Sequence, residues 1–323
     1  MNPELFLADL ERAPDTLEAL STGLARRSPW EATPIDGSSS LVLLGMGSSH
    51  YANQVAAARL RAKGVRAVAE LASSDLLPEP GAGSVVVAVS AGGSSTETLD
   101  AAERYRGRAP IVALTNREQS PISELAVATI QMEAGDEVGG VACRSFQHTL
   151  ALLLALEERV VGGVDAAGSA RRAAEACAAV VQSRPTWLPE VRDAALGPDG
   201  THLVAPARRL SSALQGALML REGPRLPAIG CETGDWSHVD VYLTKTTDYR
   251  MMLFTGSRWE PELLRWVVER GSRVVCVGSG LVEAEMTVGY PHADDDTVRL
   301  LSEVMVPSLI AAVAWLDQVR EAS

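Results

Sequence analysis

Leu41-Val42-Leu43-Leu44-Gly45-Met46-Gly47-Ser48-Ser49 is an apolar run of strand length that ends in a glycine- and serine-rich turn. Four aliphatic residues without alternation predict a strand covered on both faces, as in the centre of a parallel sheet. A helix is expected next, from about His50 to Lys63. The same order returns at Val85-Val86-Val87-Ala88-Val89, followed by Ser90-Ala91-Gly92-Gly93-Ser94-Ser95 and a helix from about Thr96 to Arg106. Strands are also expected at Val65 to Leu71, Pro110 to Leu114 and Ala126 to Met132, with a long helix from about Arg144 to Val161. Alternation of this kind predicts an α/β fold, a doubly wound and mainly parallel sheet flanked by helices.

The layout is written twice. After a helical opening from about Pro3 to Arg27, the first copy runs to residue 163, and an Ala-rich linker helix occupies about 164–183. A Pro/Gly-rich connector then leads to strand His202 to Ala205, helix Leu210 to Glu222, strand and loop Met251 to Ser257, strand Arg273 to Val277 and a closing helix from Val298 to Arg320. Self-similarity at this spacing predicts two tandem domains, 1–163 and 184–323.

Composition narrows the function. A chain of 323 residues with 46% hydrophobic residues can bury two cores. The formal charge of −12 argues against nucleic-acid binding, and any phosphate must be captured by local backbone rather than by long-range attraction. Asn2 to Leu10 lack a basic, apolar leader, and no stretch reaches about 18 unbroken apolar residues, so a cytoplasmic location without a membrane partner is expected. Cys143, Cys177, Cys231 and Cys276 form no C-x-x-C pair, and His50, His148, His202 and His292 show no metal-ligand spacing. No metal and no cofactor are expected.

Two loops can hold an anion: Gly47, Ser48 and Ser49 after the first strand, and Ser90, Ala91, Gly92, Gly93, Ser94 and Ser95 after the Val85 strand. Each ends a parallel strand and opens a helix, where free N–H groups and the helix dipole favour negative charge. Plain turns and helix caps use the same residue types. A dinucleotide fold is a competing reading of Gly45-Met46-Gly47 with Glu70, but His50 stands at the third fingerprint position.

With these residues in view, the chain resembles the double sugar-isomerase (SIS) domain family, which includes the isomerase half of glucosamine-6-phosphate synthase and fructoselysine-6-phosphate deglycase. The resemblance rests on the two loops, on Ala69-Glu70-Leu71-Ala72-Ser73-Ser74, on Gly135-Asp136-Glu137-Val138-Gly139-Gly140-Val141-Ala142-Cys143-Arg144-Ser145-Phe146, and on Gln215-Gly216-Ala217-Leu218-Met219-Leu220-Arg221-Glu222. It implies a phosphosugar isomerase or deglycase, with the serine loops, Val141 and Cys143 at the substrate. It also implies that Glu222 is the proton-transfer base and that His238, sixteen residues later, opens the sugar ring. Family members build the site from two subunits, which implies a homodimer with His238 reaching its neighbour. Met219 stands where the synthase has a lysine, Gly92 where the phosphate loop has its central serine, and neither a glutaminase domain nor a lysine-bearing tail is present in this sequence.

The chemistry fits those residue types. Moving a proton between C1 and C2 through an enediol needs one carboxylate within reach of both carbons, and opening a ring needs a group that titrates near neutrality. A ketose with an amine at C1 uses the same two groups through an enaminol. The substrate is therefore expected to be a sugar phosphate or a sugar-amine phosphate. Alone, Glu222 would read as a solvated helix end and His238 as a loop histidine; their joint register favours catalysis. The alternative is a non-catalytic sugar-phosphate sensor, which would have no chemical need for the pair.

Overall fold

The apolar runs pair into two five-stranded parallel sheets in the computed structural model, which describes residues 1–281 and 284–322. In chain order, the first elements are α1 (Pro3–Glu11), α2 (Ala13–Arg26), β1 (Ser40–Gly45), α3 (Gly47–Ala62), β2 (Ala67–Leu71) and β3 (Ser84–Val89). Next come α4 (Thr96–Glu103), β4 (Ile111–Thr115), α5 (Pro121–Leu125), β5 (Ala128–Gln131), α6 (Arg144–Val161) and α7 (Ala166–Ala195). The rest are β6 (Thr201–Ala205), α8 (Leu210–Glu222), β7 (Ala228–Glu232), α9 (Thr233–Trp236), β8 (Arg250–Phe254), α10 (Glu260–Glu269), β9 (Arg273–Val277), β10 (Met286–Val288), α11 (Asp296–Ser302) and α12 (Met305–Glu321).

The first sheet has the order β2-β1-β3-β4-β5 and the second β7-β6-β8-β9-β10, so the strands repeat one topology. β4 and β6 are buried along their whole length, and β1 and β3 along all but their first residue, which explains their unbroken apolar sequence. β2 and β7 lie at edges and bury only some of their residues.

The chain divides into two compact units: Asp15–Asp136 with Arg144–Arg171, and Met1–Pro14 with Glu137–Cys143 and Arg172–Ser323. These bounds differ from the expected 1–163 and 184–323. α1 belongs with the second sheet because its apolar residues Phe6 and Leu10 are buried there, with Phe6 6.3 Å from the ring of Trp315 on α12. The expected linker helix and connector are one helix, α7, which continues through Pro185 and Pro189. Proline removes an intrahelical donor, yet nearby side chains bond to the same stretch of backbone: Ser183 Oγ donates to Ala179 O at 2.7 Å and Trp187 Nε1 to Val180 O at 3.3 Å. Buried Val180, Trp187, Leu188 and Val191 hold the helix in place.

The expected closing helix 298–320 is two helices, α11 and α12. Pro307, in the first turn of α12, cannot donate to the carbonyl of Glu303, and the chain changes helix there. The stretch Asp296–Glu321 is long and apolar enough to cross a membrane, but 83% of its most apolar window is buried inside the fold, where α12 packs on α1 and α8. Ser323, the expected end of the second domain, lies outside the described residues.

Candidate active site

In the first unit the strand order reverses between β1 and β3, and the two serine loops leave the carboxyl ends of these strands. Such a switch point opens a crevice for a ligand. Gly47 and Ser48 open α3 ahead of its first bonds, from Ser49 N (3.1 Å) and His50 N (3.4 Å) to Met46 O. Ser48 and Ser49 are half-buried there.

The second loop is tied to its surroundings. Ser90 N donates to Leu114 O at 3.0 Å, Asn116 N to Ala91 O at 3.0 Å, and Ile122 N to Gly93 O at 3.0 Å. Gly93 has φ +67°, and a Cβ there would lie 2.4 Å from the Ser120 side chain, so only glycine fits. Gly92 and Ser94 are exposed. Ser95 has another occupation: its Oγ accepts from Thr98 N at 3.3 Å as the cap of α4 and donates to Glu97 at 2.9 Å. Of the three serines expected as donors in this loop, Ser95 is thus the most committed to the fold.

A residue that sequence reading passed over lies beneath the first loop. Asn53 on α3 is fully buried, and neither amide atom has a hydrogen-bond partner among the described residues. Its only signal was one amide on the apolar face of Ala52, Val55, Ala56 and Leu60. His50, nearby on α3, is buried, and burial lowers its pKa against a raising bond to the Glu70 backbone.

The expected base stands in the second unit. α8 ends at Glu222, where Gly223 N bonds to Met219 O at 3.1 Å and Pro224 blocks continuation. Glu222 is half-buried, and its carboxyl is held above the usual range, first by burial and then by the charge of Glu137. Loop Glu137–Cys143 belongs to the same unit. Gln215 Nε2 on α8 donates to Ala142 O at 3.0 Å, and Gly139 N donates to Asp9 Oδ2 at 2.8 Å. Val141 is 1% exposed and Cys143 5%, and the Cys143 N–H donates to Glu137 Oε1 at 2.7 Å, so both residues are packed into the fold.

His238 is exposed, just past α9, with its N–H on Asp235 O at 2.8 Å. It lines an open cleft of about 400 Å³ with Glu232, Asp235, Ser237 and Trp259. Glu222 does not line that cleft. Buried contacts hold the segment on both sides of His238: Trp236 Nε1 donates to Tyr249 OH at 2.8 Å, and Asp240 lies 3.6 Å from His202 Nδ1, whose ring stacks on Tyr249 at 4.1 Å.

The family model described as "SIS domain" matches residues 35–159, the stretch that carries the first sheet and both serine loops. That stretch is similar to a SIS domain. A glutamine–fructose-6-phosphate aminotransferase [isomerizing] of Leifsonia xyli subsp. xyli is 25% identical over 328 residues, covering 91% of this chain and 51% of the relative. Its namesake from Aeropyrum pernix is 33% identical over 132 residues, covering 40% of this chain and 21% of the relative. The chain thus spans about half the length of the first relative and a fifth of the second. The solved C-terminal domain of glucosamine-fructose-6-phosphate aminotransferase from Francisella tularensis superposes with a TM-score of 0.80 at 16% identity, covering 96% of each chain. That likeness is one of fold, and it extends well beyond the matched SIS domain to the second sheet.

Proposed function

We propose that the chain is a phosphosugar isomerase or deglycase that moves a proton between C1 and C2 of a sugar phosphate or sugar-amine phosphate through Glu222. The observation that carries this reading is the environment of Glu222: a half-buried carboxylate whose proton affinity is raised by burial and by a second carboxylate, as a base working near neutrality requires. Glu222 takes the proton from one carbon and returns it to its neighbour through an enediol. If C1 bears an amine, the intermediate is an enaminol, and water then releases the amine.

The SIS domain's loops supply the anion site, with backbone N–H groups of Gly47 to Ser49 and hydroxyls of Ser48, Ser49, Ser90 and Ser94 as donors. His238 opens the ring in a neighbouring subunit's site. Exposed Val239 (55%) and Tyr242 (64%) flank it and support a homodimer interface around this segment. This account needs no metal or cofactor and fits a cytoplasmic enzyme. The test is a screen of sugar 6-phosphates and their C1-amine adducts, read by solvent-proton exchange at C1 or C2. Exchange that Glu222→Gln abolishes is expected; binding without exchange would make the protein a sensor instead.

A further inference from the structure

Gln215, Met219 and Glu222 are spaced i, i+4, i+7 and share one face of α8. That face carries the loop Glu137–Cys143, because Gln215 holds Ala142 O on it. The loop is closed on itself where Glu137 Oε1 accepts from Cys143 N at 2.7 Å. On its far side Asn2 N donates to Gly139 O at 3.1 Å, and a Cβ on Gly139 would lie 2.5 Å from the Phe6 backbone. The loop is therefore fastened to α1, to α8 and to itself, and Glu137 makes the last of these links.

We propose that Glu137 is a positioning residue for Glu222: it fixes the loop on the base-bearing face of α8 through the amide of Cys143, and it presents a second carboxylate to the base. The inference rests on Glu222 being the working group, but neither half of its test requires a substrate. On the elements packed against α8, the other titratable groups are His202 on β6, Cys231 and Glu232 on β7, and Asp317 and Glu321 on α12; the neighbouring cations are Arg208 and Arg209 in the turn before α8 and Arg320 on α12. None of these contributes to the raised proton affinity of Glu222, whereas Glu137 does. A like charge close to a carboxylate disfavours its ionised form.

Glu137→Gln separates the two roles, since an amide oxygen still accepts from Cys143 N while the charge is gone. Carboxyl-carbon NMR should show Glu222 titrating at lower pH in Glu137→Gln than in the unaltered chain, with the Cys143 amide still protected from hydrogen exchange. Glu137→Ala should lose that protection, speeding exchange about tenfold for each 1.4 kcal/mol of lost local stability. An unchanged Glu222 midpoint in Glu137→Gln, or an equally protected Cys143 amide in Glu137→Ala, overturns the proposal. Failure of every sugar phosphate to turn over would instead sink the enzymatic reading and leave both measurements interpretable.

Discussion

Glu222 shows how one residue couples stability to chemistry. Its proton affinity is higher folded than unfolded, so the folded state binds the proton more tightly, and stability falls as pH rises from below the unfolded value through the folded one. Glu222→Gln, which cannot ionise, should therefore melt higher than the unaltered chain at pH 8, with the difference vanishing near pH 4. The same variant should lose about 10²- to 10⁴-fold in turnover with substrate affinity nearly intact. Gly92 and Gly93 form a second contrast at this scale. A Cβ on Gly92 would meet only Ser94 Oγ, at 3.8 Å, so Gly92→Ser should fold normally. Its added hydroxyl should strengthen phosphate binding a few-fold to about tenfold, the value of one hydrogen bond, read as a larger phosphate-induced rise in melting temperature. Gly93→Ala should instead destabilise the fold by about 1–3 kcal/mol or more, because φ +67° and the Ser120 contact both oppose a side chain.

At the scale of elements, buried polar groups set the conditions under which helices and sheets stay together. α6 is joined to the end of β5 by His148, whose Nδ1 donates to Met132 O at 2.7 Å. Burial lowers its pKa from 6.5 to about 4. The folded state prefers the neutral ring, so this contribution is complete above pH 6.5 and is lost as pH falls through about 4, a total of about 3 kcal/mol at 1.4 kcal/mol per unit. His148→Gln should flatten the acid limb of a stability-against-pH curve between those values. In the second unit Arg209, 1% exposed, ties the turn before α8 to Glu303 between α11 and α12, to Asp296 and to Thr255 O. Arg209→Met removes one partner and leaves Glu303 buried, which should cost about 3–5 kcal/mol in denaturant unfolding.

For the whole molecule, the proposed dimer is the feature that bears most on function, because in it His238 serves a neighbouring subunit's site. Tyr242→Glu places a charge beside His238 on the apolar surface, so sedimentation should show a shift toward monomer at micromolar concentration, with turnover lost in parallel. A fully active monomer would refute the shared site. The sequence by itself determined the alternation of strands and helices, the position of both serine loops and the register of Glu222 and His238, because all of these rest on local periodicity and motif spacing. Only the tertiary structure decided that α1 packs with the second unit, that α7 passes through two prolines, and that Asn53 is buried without a hydrogen-bond partner among the described residues. It also revealed that Glu137 raises the proton affinity of Glu222. Each of these depends on what distant segments bring within a few ångströms, where burial and charge outweigh the local preferences that a sequence displays.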